Sequence, residues 1–220
     1  MRGYRFELAG TALLARGTGT LWWEAQRLLV VSDLHFGKAE RIARRGGALL
    51  PPYDTAATLA RLDAEIAALD PAGVVCLGDS FDDLEAADMP APEALWLARL
   101  MAGREWVWVA GNHDPGPLAI GGTHVAELAR GSLQFRHIAE AEAAAGEVSG
   151  HFHPKARLGG TQRPCFLIDQ RRVIMPAFGA YTGGLRCTDP VLTGLMQPGT
   201  VAVLTGAQAL VLPMPMPRPG

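Results

Sequence analysis

The 220-residue sequence predicts an α/β protein, and three observations carry that prediction. Apolar runs at 28–31, 74–77 and 106–110 have the length and composition of buried strands. Segments with helical periodicity separate these runs, and strands that alternate with helices pair in parallel. Beyond residue 131 the pattern consists mostly of short strands, which indicates a second and more antiparallel sheet.

Each element of the first half follows from its own pattern. Short segments rich in β-forming residues occupy 4–8, 11–15 and 21–23, with glycine in the turns. Apolar residues then recur every three or four positions over 54–69, which predicts a helix with Asp54 as its N-cap and Pro71 after its end. A second helix is expected over 93–101, opened by Pro92.

The second half is read as strands with turns between them. We expect these strands at 133–137, 147–149, 165–169, 172–175, 201–204 and 209–212. The long uncharged stretch from Pro190 to Pro217 is interrupted by glycines and prolines, so it reads as short strands and not as a membrane helix. Since no interdomain linker is evident, residues 1–212 are expected to form one domain, followed by a proline-rich tail at 213–220.

Composition excludes several classes of protein. Lys and Arg number 20 and Asp and Glu number 22, so the net charge of −2 argues against a cationic surface spread over the whole chain. Hydrophobic residues at 49% and charged residues at 19% describe a globular chain and not a disordered one. The odd number of cysteines, together with the lack of a secretory signal in the first thirty residues, predicts a cytoplasmic protein without a membrane span.

Four polar motifs follow predicted strands. They are Asp33-Leu34-His35, Gly78-Asp79-Ser80-Phe81-Asp82, Gly111-Asn112-His113-Asp114 and Gly150-His151-Phe152-His153. Because ligands bind at the carboxyl ends of strands in open α/β sheets, these loops are expected to converge on one crevice. A single Asp-x-His is most simply a surface turn, but four such motifs in this order favour a common site.

The donor types in these motifs indicate a metal site. They are carboxylates, imidazoles and one carboxamide, with no thiol. Such oxygen and nitrogen donors suit Mn, Fe or Zn, whereas an all-oxygen site would suggest Mg or Ca. Five of the six histidines lie in or near these motifs, and His124 is interpreted as an ordinary surface or core histidine.

The order of these motifs resembles the calcineurin-like metallophosphoesterase superfamily over about residues 28–155. The resemblance implies a sandwich of two mixed β-sheets flanked by helices, with two divalent metal ions. It places Asp33, His35 and His153 on the first metal, with Asn112, His137 and His151 on the second and Asp79 between the two. His137 is assigned only from its position before the last motif, and a core histidine is the alternative.

The chemistry of such a pair of ions can be stated from general principles. Two divalent cations about 4 Å apart lower the pKa of a bridging water, so that a metal-bound hydroxide can attack phosphorus. The family pattern also pairs His113, as proton donor to the leaving group, with the carboxylate of Asp82, which would orient the imidazole. Asp114 is expected to serve in a turn or to support a ligand.

A narrower resemblance concerns the bacterial ligase-associated DNA damage response endonuclease family. It rests on the segment from Asp33 to Arg45 with Pro51, on Arg136-His137, on His153-Pro154-Lys155 and on the segment 176–184. It implies a manganese-dependent nuclease that acts on DNA in repair, with an ATP-dependent DNA ligase and a helicase as functional partners. Fe or Zn would also suit the donors.

Basic residues beside the metal motifs are candidates for phosphate contact. Lys38, Arg41 and Arg45 share one face of a predicted helix, and Lys155 follows the last motif. A solvated helix face is the plain alternative. Tryptophans could stack on bases, but Trp106 and Trp108 alternate along an apolar strand and are expected in the core.

Two other functions remain open. Asp82 stands where some DNA-cutting relatives carry His, a pattern that favours a phosphatase or phosphodiesterase acting on a small nucleotide-like substrate. Asp83 follows it and would repel a dianionic monoester, which leaves a diester substrate compatible. The second alternative is a non-catalytic scaffold that keeps metal for stability.

Overall fold

A computed structural model of the chain describes residues 3–44, 46, 53–82, 89–114 and 120–215. Two mixed β-sheets pack face to face, with helices against their outer faces, as the resemblance implied. Arg45, Asp83 and residues 216–220 of the proline-rich tail lie outside the described residues. Within them, no helix is both long enough and apolar enough to cross a membrane.

The first sheet changes from antiparallel to parallel pairing along its width. Its strands, in both spatial and chain order, are β1 (Gly3–Leu8), β2 (Thr11–Arg16), β3 (Leu21–Trp23), β4 (Leu28–Ser32), β5 (Gly73–Leu77), β6 (Glu105–Val109) and β7 (Thr123–Val125). Strands β1 to β4 pair antiparallel, and β4 to β7 pair parallel. The parallel half places the carboxyl ends of β4, β5 and β6 at one edge of the sheet.

The second sheet is also mixed. Its strands are β8 (Leu128–Arg130), β9 (Leu133–Phe135), β10 (Glu147–Ser149), β11 (Lys155–Leu158), β12 (Thr161–Ile168), β13 (Arg172–Ile174), β14 (Val201–Leu204) and β15 (Leu210–Pro213). The order is β15-β14-β12-β13-β10-β9-β8, and β11 pairs with the other end of β12. Only the pairs β9–β10 and β10–β13 are parallel among these described strands, so the expectation of a more antiparallel sheet is confirmed.

Side-chain alternation along the strands explains the layers. Val75 and Leu77 of β5 face the core between the sheets, where they meet residues such as Phe135 and Phe166 of the second sheet. Val74 and Cys76 point the other way, toward the helices. All four tryptophans at positions 22, 23, 106 and 108 are buried, which makes them core residues and not stacking platforms.

Four α-helices are present in the described chain: α1 (Lys38–Arg44), α2 (Asp54–Leu69), α3 (Ala91–Met101) and α4 (Pro190–Leu195). Leu59, Leu62 and Ile66 of α2 pack against the first sheet, as their spacing predicted. The prediction that Asp54 caps α2 is wrong. Asp54 is the first residue of the helix, and its carboxylate instead accepts a hydrogen bond from the amide of Ala39 in α1.

Candidate metal centre

The polar motifs all lie at the carboxyl ends of strands. Asp33 directly follows β4, Asp79 follows β5 by two residues, and Asn112 follows β6 by three. His137 and His151 each follow a strand of the second sheet, β9 and β10, by two residues. His137 was expected on a strand over 133–137, but the strand ends at Phe135 and His137 lies in the bend beyond it. The two sheets therefore contribute loops to one shared edge.

Three of the predicted ligands form a first group. Asp33 Oδ1 lies 3.0 Å from His153 Nε2, and His35 Nε2 lies 3.5 Å from the same nitrogen. One donor atom from each residue lies within 4.8 Å of the others. Asp33 and His35 are buried, while His153 is half-buried, so the group opens to solvent on the side of His153.

A second group surrounds His137. Its Nε2 atom lies 3.0 Å from Asn112 Oδ1, 3.2 Å from His151 Nδ1 and 3.3 Å from Asp79 Oδ2. The two groups adjoin each other, since His137 Nδ1 lies 4.0 Å from Asp33 Oδ1 of the first group. The structure brings Asp79 into the second group, and its position between two metals stays a prediction.

The donor atoms fit divalent metal ions. Ligands about 2.1 Å from a metal lie about 3.0–3.4 Å from one another in octahedral or tetrahedral coordination, close to the separations found in both groups. Asp33 Oδ1 is buried and forms no well-aligned hydrogen bond with any described residue, although His153 Nε2 lies close to it. A buried carboxylate oxygen in that state requires a cation or water as its partner.

The backbone of these loops is held in an unfavourable conformation. Five predicted ligands have positive φ angles, namely Asp33 (53°), His35 (47°), Asp79 (44°), His151 (68°) and His153 (46°). Left-handed backbone at a residue other than glycine costs about 1–3 kcal/mol and clusters at functional sites. The surrounding packing must therefore hold the donors where they are, which is the behaviour of a preformed site.

Two glycines of the motifs are required because a neighbouring loop lies too close to leave room for a side chain. A Cβ atom on Gly111 would lie 2.1 Å from the backbone nitrogen of Asp79, and one on Gly150 would lie 1.8 Å from Ser32 Oγ. Both contacts are far below van der Waals separation. The loops that carry Asn112 and His151 can therefore approach the loops that carry Asp79 and Asp33 only because these positions lack a side chain.

The orientation of His137 leaves Nε2 free for a ligand. Its Nδ1 atom lies 3.0 Å from the carbonyl oxygen of Leu77, so the nitrogen that donates a proton is Nδ1. Burial would lower the pKa of His137, but the hydrogen bond to Asp79 and the charges of Asp33 and Asp79 raise it to about 9. A cation beside Nε2 would take the place of that proton.

The Asp82 carboxylate does not pair with His113, which corrects the prediction from sequence. One of its oxygens, Oδ1, lies 2.8 Å from His35 Nδ1 and 3.9 Å from Lys38 Nζ, and the other contacts Arg41 Nε. Burial would raise the pKa of Asp82, but His35, Arg41 and Lys38 hold it at about 2. The carboxylate prefers α1 and His35 because two cations and an imidazole surround it there.

His113 is instead held by backbone. Its Nδ1 atom lies 2.9 Å from the carbonyl oxygen of Asp82, and its Nε2 atom lies 4.0 Å from Asp79 Oδ2. The ring centroid lies 5.4 Å from that of His35, so His113 stands beside both groups without joining either. A third of its side chain is exposed, which leaves the imidazole accessible from solvent.

Asp114 fastens two of the motif loops together. Its carboxylate accepts hydrogen bonds from the backbone amides of Asp79, Ser80, Phe81 and Gly111. Asp114 therefore holds the loop of the predicted ligand Asp79 against the loop of Asn112. Burial raises the pKa of Asp114 even though these amides favour the ionised form.

A further loop, which sequence reasoning assigned only by resemblance, closes over the first group. The amide of Phe178 donates to the carbonyl oxygen of Ser32, and the amide of Gly179 donates to that of Asp33. Lys155, expected at a phosphate, donates from Nζ to the carbonyl oxygen of Thr182 in this loop. Patterns of charge and hydrophobicity carry no signal for such backbone contacts.

Comparison with known proteins agrees with this geometry. Residues 26–175 match the family described as calcineurin-like phosphoesterase. A solved structure described as Pseudomonas putida nuclease MPE is 30% identical in sequence, covers 96% of this chain and 100% of its own, and superposes with a TM-score of 0.76. No curated protein matches the chain in sequence.

Proposed function

Because the chain belongs to the calcineurin-like phosphoesterase family, which makes it a hydrolase with a metal-binding site, we propose that it is a phosphodiesterase with two divalent metal ions that cuts DNA. The observation that carries this proposal is the pair of adjoining donor groups around His137 and His153. The full-length similarity to a nuclease supports a nucleic acid as the substrate, and the resemblance of the motifs to a DNA endonuclease family favours DNA.

In this proposal the two groups hold one metal each. Asp33, His35 and His153 would hold the first ion, Asn112, His137 and His151 would hold the second, and Asp79 would serve both. Bound divalent ions lower the pKa of a coordinated water and stabilise negative charge on phosphoryl oxygens. We propose Mn²⁺ as the native ion, and Fe or Zn would suit the same nitrogen and oxygen donors.

His113 is the proposed proton donor to the leaving oxygen. It lies beside both donor groups and is partly exposed, so a substrate oxygen can reach it. The Asp82 carbonyl fixes the ring through Nδ1, which leaves Nε2 to carry the transferred proton. The Asp82 carboxylate acts on His35 instead, as a positioning group for the first metal site.

The proposed biological setting is DNA repair in bacteria. An ATP-dependent DNA ligase and a helicase are the functional partners implied by the resemblance of the motifs. A nuclease that creates ends or gaps fits a reaction sequence in which a helicase opens strands and a ligase rejoins them.

A substrate of small, nucleotide-like character is the second candidate. It is favoured by Asp82, which occupies a position where the phosphatase pattern carries Asp and some DNA-cutting relatives carry His. The Asp82 carboxylate is directed to His35 and Arg41, and only the backbone carbonyl of Asp82 contacts His113. Asp82 therefore does little to favour a small substrate over DNA.

The test compares DNA with a small diester. Single- and double-stranded DNA and bis(p-nitrophenyl) phosphate are incubated with the protein and Mn²⁺, beside the Asp79→Asn variant and the matched Asp70→Asn variant of an exposed aspartate. We expect the wild type and Asp70→Asn to cut both DNA and the diester, and Asp79→Asn to cut neither. Turnover of the small diester without cleavage of any DNA would contradict the nuclease proposal.

A further inference from the structure

A cavity with a basic lining lies next to the last metal motif. Its volume is about 250 Å³, and it is bounded by β11, by the segment around Arg186 and by the end of β15. Three cationic residues line it, namely Lys155, Arg157 and Arg186. No Asp or Glu is among its described lining residues.

Backbone pairing puts these three cations on one face. Lys155 and Arg157 are two residues apart on β11, so their side chains leave the strand on the same side. Arg186 forms a parallel β-bridge with Lys155, which places its side chain on that side as well. The arrangement follows from the fold and does not depend on flexible side chains happening to meet.

The positive charge at this cavity is not neutralised by acids. No described carboxylate lies within 4.0 Å of a nitrogen of Arg157 or Arg186. Lys38 and Arg41, by contrast, both lie at the buried carboxylate of Asp82. Uncompensated clusters of like charge cost stability, and they are typical of sites that bind anions.

The cavity lies within reach of a strand held at the metal centre. Lys155 is two residues from His153 and Arg157 is four, so their Cα atoms lie at most about 7 Å and 14 Å from that of His153. Stacked nucleotides advance about 3.4 Å each along one strand. A polynucleotide bound at the centre would therefore reach the cavity within a few nucleotides.

We infer that this cavity is a second anion site, which binds a phosphate group of the substrate strand a few nucleotides from the bond that is cut. The inference rests on the proposed DNA substrate and deepens it. Arg157 and Arg186 supply the contacts, because guanidinium groups match phosphate oxygens in pairs. Lys155 adds charge while its Nζ atom anchors the loop at Thr182.

The uncharged residues that line the cavity fit the sugar and base of a nucleotide whose phosphate lies at the arginines. Gln162, the β-pair partner of Arg157, and Thr188 offer hydrogen-bonding groups, and Leu212 and Pro215 provide apolar surface. Sugar and base carry both kinds of surface. The site thus complements a nucleotide unit of a chain better than it complements an isolated inorganic ion.

The test measures how the cavity affects long and short substrates. Cleavage of a long and a very short oligonucleotide, and of bis(p-nitrophenyl) phosphate, is followed with Mn²⁺ at several salt concentrations for Arg157→Gln, Arg186→Gln and their combination. Arg99→Gln, which removes an exposed arginine of α3, is the matched control. Melting temperatures confirm that each variant is folded.

We expect the double variant to raise KM for the long oligonucleotide about 10-fold with kcat unchanged, and each arginine to lower the slope of log KM against log salt by about 0.7–0.9. KM for the small diester should not move. An unchanged KM and slope for the long oligonucleotide would overturn this inference alone. Diester turnover without cleavage of any oligonucleotide would overturn it together with the proposed DNA substrate.

Discussion

The two donor groups of the candidate centre are held in place by different means. In the first group, His35 is oriented by the Asp82 carboxylate, which also contacts Lys38 and Arg41 of α1. In the second group, the backbone carbonyl of Leu77 orients His137, and the Asp114 carboxylate accepts hydrogen bonds from the backbone of the Asp79 loop. A network of charged side chains thus orients His35 of the first group, whereas hydrogen bonds to main-chain atoms orient His137 and the Asp79 loop of the second.

This difference predicts how the two groups respond to mutation. A charge network can be weakened one partner at a time, because each charge is carried by a separate side chain. Main-chain support is lost only when a loop moves, and loop movement also lowers the stability of the fold. Substitutions in the charge network should therefore weaken the first metal site, and substitutions that free the Asp79 loop should weaken the second. Both kinds should lower stability, because Asp82 and Asp114 are buried and paired.

The largest effect is expected from the ligands themselves. His35→Ala and His137→Ala each remove one donor, and each should lower phosphodiester turnover by more than about 10,000-fold, since loss of a metal removes several kcal/mol of transition-state stabilisation. Steady-state rates with bis(p-nitrophenyl) phosphate measure this. His124→Ala on β7 is the matched control. A rate near that of wild type in His35→Ala would show that turnover does not depend on the first group.

His113→Ala should come next, with both metals retained. Loss of a general acid lowers turnover about 100- to 10,000-fold, most strongly for a substrate with a poor leaving group. Rates on DNA and on a diester with a good leaving group, together with metal analysis, check this. Full activity of His113→Ala on DNA would rule out the assigned proton donor.

Asp82→Asn and Asp114→Asn separate the two kinds of support. Loss of the carboxylate charge at Asp82 should weaken metal binding at the first group about 10- to 100-fold, and it should lower the melting temperature because the buried carboxylate pairs with His35, Lys38 and Arg41. Asp114→Asn should also lower the melting temperature, because four backbone amides share that carboxylate, but it should weaken metal binding at the second group. Metal titration and thermal unfolding of both variants are the measurements, and weakening of the same metal site in both variants would contradict the contrast.

Arg41→Ala should have the smallest effect. His35 and Lys38 remain beside Asp82, so metal affinity should fall by less than about 10-fold. Because Arg41 already contacts Asp82, the KM for DNA should also change little. A large rise in KM for DNA, without loss of metal, would instead make Arg41 a phosphate contact of the kind that sequence suggested.

Most of the fold was predictable, because long periodic segments carry a strong signal. The helix at 54–69 has the predicted bounds, and the buried strands differ from prediction by a residue or two. The elements that were missed are short: β7 and β8 have three residues each and β11 has four, too few to show a clear period of two. Helix α4 has six residues with Pro190 and Gly194 among them, and it forms because Leu192 packs into the outer core of the second sheet.

For the site, the identity of the residues was predictable from the sequence, but several of their contacts were not. Strand ends predicted that the motif loops converge, the family resemblance assigned Asp33, His35 and His153 to one metal, and the structure brings these three residues together. The partner of the Asp82 carboxylate was not predictable, because it depends on how α1 packs beside the first group. The basic cavity was equally hidden, since Arg157 and Arg186 are far apart in sequence and meet only through the pairing of Lys155 with Arg186.

Metal content tests the central claim most directly. The wild type, His35→Ala and His137→Ala are loaded with Mn²⁺, freed of excess ion and analysed for metal per chain by elemental analysis. We predict about two ions for the wild type and about one for each variant, because each histidine belongs to a different donor group. A single ion in the wild type, or the loss of both ions in each variant, would contradict a centre built from two separately held groups.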